Sequence, residues 1–282
     1  MANIAIVTLI VSHGTVTNTK AMLESLGHTV SVILSSAATF ATLVTFDLIM
    51  CVRGSDDATQ SSVIASVVMA GVPLICGFPG VTTASNTPFH SLKLVTGSIG
   101  SGSESSESAV RVRVSHKYTN GLATTGTNIQ VYPSATYAVA IATSQVSPNF
   151  TILADKPADN TRLSMLLAKK GVLNLDGVEL GADVAYYSFC YGLNGYTADA
   201  KTIFERTIND FTIPKKLISG NVVDTNGGPA QRKVYAVNLT TNNVDGYTTS
   251  DVSGNYSLQL PDNTQHAIFC VDDVAAPLIL VG

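Results

Sequence analysis

Cys76, His13 and the acidic pair Asp56-Asp57 are the residues whose types could carry catalysis, and each follows an apolar run. A thiol at a strand end acts as a nucleophile when its surroundings favour the thiolate; a buried strand-end thiol is the simpler reading of Cys76. Ser12-His13-Gly14-Thr15 lies where open α/β sheets place ligands, and its backbone N–H groups could cradle a phosphate. It matches neither a P-loop nor a G-x-G-x-x-G pattern, so a loop histidine satisfied by hydrogen bonds explains it more cheaply. Asp56-Asp57 could bind a cation, yet an acidic N-cap of the next helix accounts for it. Asp272-Asp273 reads as an exposed turn and His116 as a strand-end residue with no carboxylate nearby in sequence. His28, His90 and His266 are isolated. The four cysteines, Cys51, Cys76, Cys190 and Cys270, show no C-x-x-C spacing, which excludes the common zinc and redox signatures. Most sit among apolar residues, and free buried thiols are expected. No catalytic, cofactor-binding or metal-binding residue is assigned, no cofactor is expected, and the chain is expected not to be an enzyme.

Those residues must be held by a chain poor in charge. Only 13% of the 282 residues are Asp, Glu, Lys or Arg, against about 25% in an ordinary soluble domain. The hydrophobic fraction is 45% and the mean hydropathy +0.28, enough for a large core. A weakly charged surface has little self-repulsion and little desolvation cost on association, which suits lasting protein–protein contact. Net charge is −4 and no basic tract occurs, so nucleic acid is not an expected partner. Met1–Val11 lacks a basic leader and a small-residue cleavage site and reads as a core strand. No run reaches the ~18 apolar residues that span a bilayer, so no membrane contact is expected.

The elements alternate through the first two thirds of the chain. Asn3–Val11, His28–Leu34, Phe46–Val52 and Val72–Gly77 are apolar strand-like runs separated by helical stretches at Thr19–Leu26, Ala37–Val44 and Ser61–Ala70. That rhythm predicts βαβ units and a parallel sheet covered on both faces. Thr96–Ser108 is a Gly/Ser-rich loop, expected to be mobile or ordered only by a neighbour. Ala109–Ser115, Asn128–Tyr132, Tyr137–Thr143 and Phe150–Ala154 read as an antiparallel extension. Thr161–Lys170 reads as a helix, Asp183–Cys190 as a last buried strand and Thr197–Asn209 as a final helix. A boundary at Ile213-Pro214-Lys215-Lys216 separates residues 1–213 from residues 217–282, where short strands alternate with Gly/Asn turns as in a β-sandwich.

The C-terminal stretch Ile218-Ser219-Gly220-Asn221-Val222-Val223-Asp224, then Gly228-Pro229-Ala230, then Thr249 through Gly254-Asn255-Tyr256-Ser257-Leu258, resembles the carboxypeptidase regulatory-like (transthyretin-like) β-sandwich. Its ending, Phe269-Cys270-Val271-Asp272-Asp273 and Ala276-Pro277-Leu278-Ile279-Leu280, is similar to a version at the C-termini of tailed-phage virion proteins, from which Pro277 departs. Residues 1–212 more diffusely resemble the class I glutamine amidotransferase-like (flavodoxin-like) family, through Phe46-Asp47-Leu48-Ile49 with Gly71-Val72-Pro73-Leu74-Ile75, and through Gly181–Tyr191 with Tyr196-Thr197-Ala198-Asp199. An active amidotransferase needs a Cys on a strained strand-to-helix elbow and a late His-x-Glu pair. Cys76 falls too early after Pro73, the elbow holds Phe78, Pro79 and Gly80, and Tyr186–Gly192 contains no His-x-Glu. These resemblances imply an α/β plus all-β protein. Its first domain is a three-layer, flavodoxin-like, mostly parallel sheet with an antiparallel extension; its second is a small Ig-like, transthyretin-like β-sandwich. They further imply a structural virion protein of the tail, baseplate or fibre region, less a capsid decoration. Its partners would be other virion proteins and copies of itself, after assembly in the host cytoplasm. The alternative is a carbohydrate-related hydrolase or glycan-binding protein.

Overall fold

The computed structural model describes residues 1–53, 58–77, 87–96, 104–190, 192–212, 215–240, 242, 244–261 and 265–271. Asp56-Asp57, Phe78-Pro79-Gly80, Asp272-Asp273 and Ala276–Leu280 lie outside them. Contacts divide the chain into two units, Met1–Thr212 and Ile213–Gly282.

In the first unit β1 (Asn3–Thr8) runs into α1 (Gly14–Ser25), and β2 (Thr29–Leu34) precedes the short α2 (Phe40–Leu43). Then come β3 (Leu48–Arg53), α3 (Ala58–Met69), β4 (Leu74–Cys76) and the single turn α4 (Pro88–Ser91). The next strands are β5 (Glu104–Glu107), β6 (Ala109–Val112), β7 (Asn128–Gln130), β8 (Thr136–Val139), β9 (Ile141–Ala142), β10 (Thr151–Lys156), β11 (Asp159–Ala168) and β12 (Val184–Tyr187). Helix α5 (Ala198–Thr212) ends the unit. A ten-stranded sheet orders ten of these strands β2-β1-β3-β4-β12-β11-β10-β6-β7, with β9 beside β11, and β5 and β8 form a separate pair. The run β2-β1-β3-β4-β12 is parallel throughout and has the flavodoxin-like order. From β12 onward the pairings are antiparallel.

Alternation along the central strands fills two cores. Ile4 and Ile6, Met50, and Ala185 and Tyr187 face one side, where Met22 and Leu23 of α1 and Ile203 and Phe204 of α5 cover them. Ala5 and Val7, Cys51, and Val184 and Tyr186 face the other, beneath Leu43 of α2, Ile64 and Val68 of α3, and Phe89 of α4. Gly181 lies so close to the end of α3 that a Cβ would stand 2.1 Å from the Met69 carbonyl oxygen.

Two expectations are corrected here. Thr161–Lys170 is not a helix but most of β11, whose Leu163 to Ala168 stretch is buried without a break. Its buried positions, Ser164 among them, are contiguous because the strand lies inside the sheet with both faces covered, the situation that erases the alternation a strand otherwise shows. Within Thr96–Ser108, Glu104–Glu107 is a strand paired antiparallel with β8, so its backbone groups find partners despite a polar composition.

The second unit contains β13 (Lys215–Asn221), β14 (Lys233–Asn238), β15 (Val244–Thr249), β16 (Asn255–Pro261) and β17 (His266–Val271). They form two separate antiparallel sheets, β13-β16 and β15-β14-β17. Side chains from both meet in one cluster of Val222, Ala230, Val234, Ala236, Leu258 and Leu260. Gly254, at φ +80°, makes the turn into β16, where a Cβ would meet the Val222 carbonyl oxygen at 2.3 Å. Cys270 is exposed, whereas Cys51, Cys76 and Cys190 are buried. The expectation of a buried thiol fails at Cys270 because β17 is only partly covered.

Leu167→Ala, in a fully covered stretch of β11, is expected to lower the unfolding free energy by about 2–5 kcal/mol in urea denaturation. A loss below ~1 kcal/mol would show that this strand is not packed on both faces.

Candidate functional site

The C-terminal ends of the parallel strands are where this architecture places ligands, and among the described residues the start of α1 and the residues after β12 bond to one another there. His13 is the N-cap of α1: its Nδ1 accepts the Thr15 N–H at 3.2 Å, and its carbonyl accepts those of Val16 and Thr17 at 2.9 and 3.1 Å. The N–H groups of Thr15, Val16 and Thr17, donors a phosphate would need, are therefore already engaged. Residues following β12 fold down on the start of α1. Asn18 Nδ2 donates to the carbonyls of Gly192 and Leu193 at 2.9 and 2.8 Å. The Tyr196 hydroxyl donates to the Cys190 carbonyl at 3.0 Å, accepts the Gly192 N–H at 3.2 Å and meets Thr19 Oγ1 at 2.9 Å.

Cys76 ends β4 fully buried. The next residue, Gly77, is pressed against the end of β12, where a Cβ would stand 1.9 Å from Cys190 Cβ and 2.4 Å from the Tyr187 carbonyl oxygen. Burial, and then Cys76, push the Cys190 thiol upward, so it stays protonated and is a poor nucleophile.

A second constellation went unread in the sequence. Asp210, near the end of α5, accepts three short hydrogen bonds: from Lys117 Nζ at 2.6 Å, Tyr118 OH at 2.5 Å and Lys169 Nζ at 2.5 Å. Lys169 also donates to Asp183 Oδ2 at 3.0 Å, and the Lys170 N–H reaches Asp183 Oδ1 at 2.7 Å. Burial alone would raise the Asp210 carboxyl, but Lys169 and Lys117 overcome it and hold it well below the usual carboxylate range. Burial likewise works against the charge on Lys169, and Asp210 and Asp183 overturn it, raising that ammonium. Tyr118 is pushed up by burial and by Asp210. His116 belongs to the same group: its Nδ1 accepts the Tyr118 N–H at 3.3 Å, and its ring meets that of Tyr118 edge-on at 4.4 Å. Burial, with Lys117 and Lys169, lowers it to about 4 against the pull of Asp210. The reading of His116 as lacking a carboxylate holds only along the chain, because the fold brings Asp210 to it. The signal available was a charge flanking each of two apolar runs, Lys169-Lys170 after β11 and Asp183 before β12. Reading β11 as a helix concealed it. As arranged, the cluster ties the 116–118 segment, the sheet and α5 together, and each Asp210 oxygen already accepts from a donor.

The remaining histidines are dispersed. His28 Nδ1 accepts the Ala2 N–H at 3.3 Å, His90 Nδ1 meets Thr87 Oγ1 at 2.9 Å, and His266 opens β17. A groove of about 1080 Å³ beside α3 and α4 is lined by Ser62, Ser66, Met69, His90, Lys93 and Asp176 among others. Among the described residues no group of three or more His, Cys, Asp or Glu is placed to hold a metal ion. No helix of the described residues is long and apolar enough to cross a membrane.

No protein-family model and no curated protein matches the sequence. Solved structures do resemble the chain in fold. PurLQS from Thermotoga maritima is 15% identical with a TM-score of 0.46, over 74% of this chain and 99% of that one. A putative GMP synthase subunit from Thermoplasma acidophilum is 13% identical with a TM-score of 0.46, over 73% and 92%. Gan42B, a GH42 β-galactosidase, is 10% identical with a TM-score of 0.44; the match spans 93% of this chain but only 40% of that one. The expectation that the chain is not an enzyme is corrected on this finding, since these neighbours are enzymes. The missing elbow and His-x-Glu pair bear on one chemistry only.

Because folding holds His116 neutral, the unfolded chain binds more protons between pH 6.5 and about 4. Its contribution to stability is therefore complete above pH 6.5 and is lost as the pH falls through that window. Urea denaturation at stepped pH should show this slope, and His116→Gln should flatten it; an unchanged slope would remove His116 as its source. Asp210→Asn leaves Lys169 and Lys117 without their shared counter-charge. Both ammonium groups are partly solvated, so the expected loss in the same assay at pH 7 is about 1–3 kcal/mol.

Proposed function

We propose that the chain is a structural component of a tailed-phage virion, in the tail, baseplate or fibre region rather than a capsid decoration, working by protein–protein assembly. The observation that carries this reading is the surface of the second unit. Beside a core cluster that, among the described residues, has six buried members, Tyr247 is 72% exposed, Val252 81% and Val223 57%. Apolar side chains left in water by so small a unit favour burial against another protein. The turn at Gly254 and the inward Leu258 suit the transthyretin-like β-sandwich, and the phage-like ending of the sequence supports the same reading. The flavodoxin-like, amidotransferase-like unit then serves as the scaffold that carries this module to other virion proteins.

Particles purified by density gradient should contain the chain in fixed stoichiometry by quantitative mass spectrometry. A Tyr247→Asp, Val252→Asp double variant that folds normally should be incorporated about tenfold less or worse. Absence of the chain from purified particles sinks the proposal.

A second reading, a carbohydrate-related hydrolase or glycan-binding protein, is favoured by the groove beside α3 and α4. Its volume lies just above the usual span of small-molecule sites, about 300–1,000 Å³, and hydroxyls, His90 and Asp176 line it. Turnover of chromogenic glycosides that His90→Ala and Asp176→Asn abolish would support it. Turnover unaffected by both would remove the groove as its seat.

A further inference from the structure

We propose that two copies of this chain pair through β2, strand against strand, joining their large sheets across a two-fold axis. β2 is a terminal strand of the ten-stranded sheet, and among the described residues no strand pairs with its outer side. Its register with β1 is regular over all six residues, with no bulge. The Thr29 N–H turns inward to the Ala2 carbonyl at 3.0 Å. Because inward and outward groups alternate along a strand, the N–H and C=O groups of Val30, Val32 and Leu34 point away from the sheet. A row of donors and acceptors at that spacing is completed by another extended strand.

Natural sheets guard such edges with lysines, prolines, bulges or inward-pointing charges. This one carries none of them: from Thr29 through Phe46 there is no Asp, Glu, Lys, Arg or Pro. Leu34, Phe40 and Val44 in that stretch are exposed. The opposite edge differs, since β7 has only three residues and Pro133 follows closely.

The occupant that fits is β2 itself. An antiparallel pair related by a two-fold axis perpendicular to the sheet must place residues of one face opposite one another. Setting Val32 against its own copy does so, and brings Val30 opposite Leu34 and Ser31 opposite Ile33. Every outward group of Val30, Val32 and Leu34 on both strands then has a partner. Shifting the register by two residues leaves one end unpaired, and no like charges meet in any of these arrangements. The contact is isologous and closes on itself, so it yields a dimer and not a fibre.

The inference stands apart from the virion reading, because it is read on the purified chain and virion membership is read on particles. Sedimentation across a concentration series should show a species of twice the 29.4 kDa chain mass. Hydrogen exchange on the unaltered protein should show the amides of Val30, Val32 and Leu34 protected at high concentration and released on dilution. Val32→Pro removes an outward N–H without touching the bonds to β1, which an edge strand tolerates. With its circular dichroism unchanged, it should weaken the dimer about tenfold or more; Ser31→Lys, which sets like charges near each other across the axis, should do the same. A monomer at every concentration overturns the proposal. So does a dimer in which those three amides exchange as fast as in the monomer, or one that a folded Val32→Pro leaves intact.

Discussion

The parallel strands at the centre of the large sheet carry apolar side chains on alternate faces, so neither face can be left to water. Ile4 and Ile6 need α1 and α5, while Ala5 and Val7 need α2, α3 and α4, and the strands are stable only with both layers in place. Several local features follow from fitting layers this tightly. Gly181 and Gly77 occur where backbone meets backbone or a neighbouring strand end with no room for a Cβ. The segment after β12, pinned through Tyr196 and Asn18, seals the sheet against the first turn of α1. In the same place the N–H groups of Thr15, Val16 and Thr17 are taken up by His13.

Charge is concentrated where packing alone does not fix orientation. In a chain with so few ionic groups, Lys117, Lys169, Asp183 and Asp210 converge on the place where the 116–118 segment, the sheet and the last helix meet. The hydrogen bonds within these ion pairs are directional and apolar contacts are not, so this group can set the angle at which α5 lies on the sheet. The aromatic stack of Tyr187 on Phe189, with Phe204 set edge-on to both, fills the interior beside it. Tyr187 adds a short hydrogen bond to Thr207 from within that stack.

Much of this architecture was legible in the residues. Strand runs at β1, β3, β4 and β12 announce themselves because double-sided burial makes them nearly continuous runs of apolar residues, and the glycines at 27 and 71 mark the helix ends. That same continuity made β11 ambiguous, since Leu163 to Ala168 has neither a two-residue nor a 3.6-residue period. The Asp210 cluster was illegible for another reason: its members come from four separate segments, and only the fold makes them neighbours. The closing of the strand ends was hidden likewise, because a tyrosine at 196 and an asparagine at 18 bear no local sign that they will meet the same loop.

The position of β12 also governs when the protein can form. It pairs with β4, Tyr186 opposite Cys76, although the whole antiparallel extension is translated between them. At ~5–20 residues per second, a ribosome takes several seconds to cover that interval. Throughout it the nascent β4 has no neighbour on one side, and closing so long a loop must await the end of the unit. The antiparallel strands β6, β7, β10 and β11 are made first and pair largely among themselves. Folding can therefore begin from two partial sheets and finish when β12 zips them together.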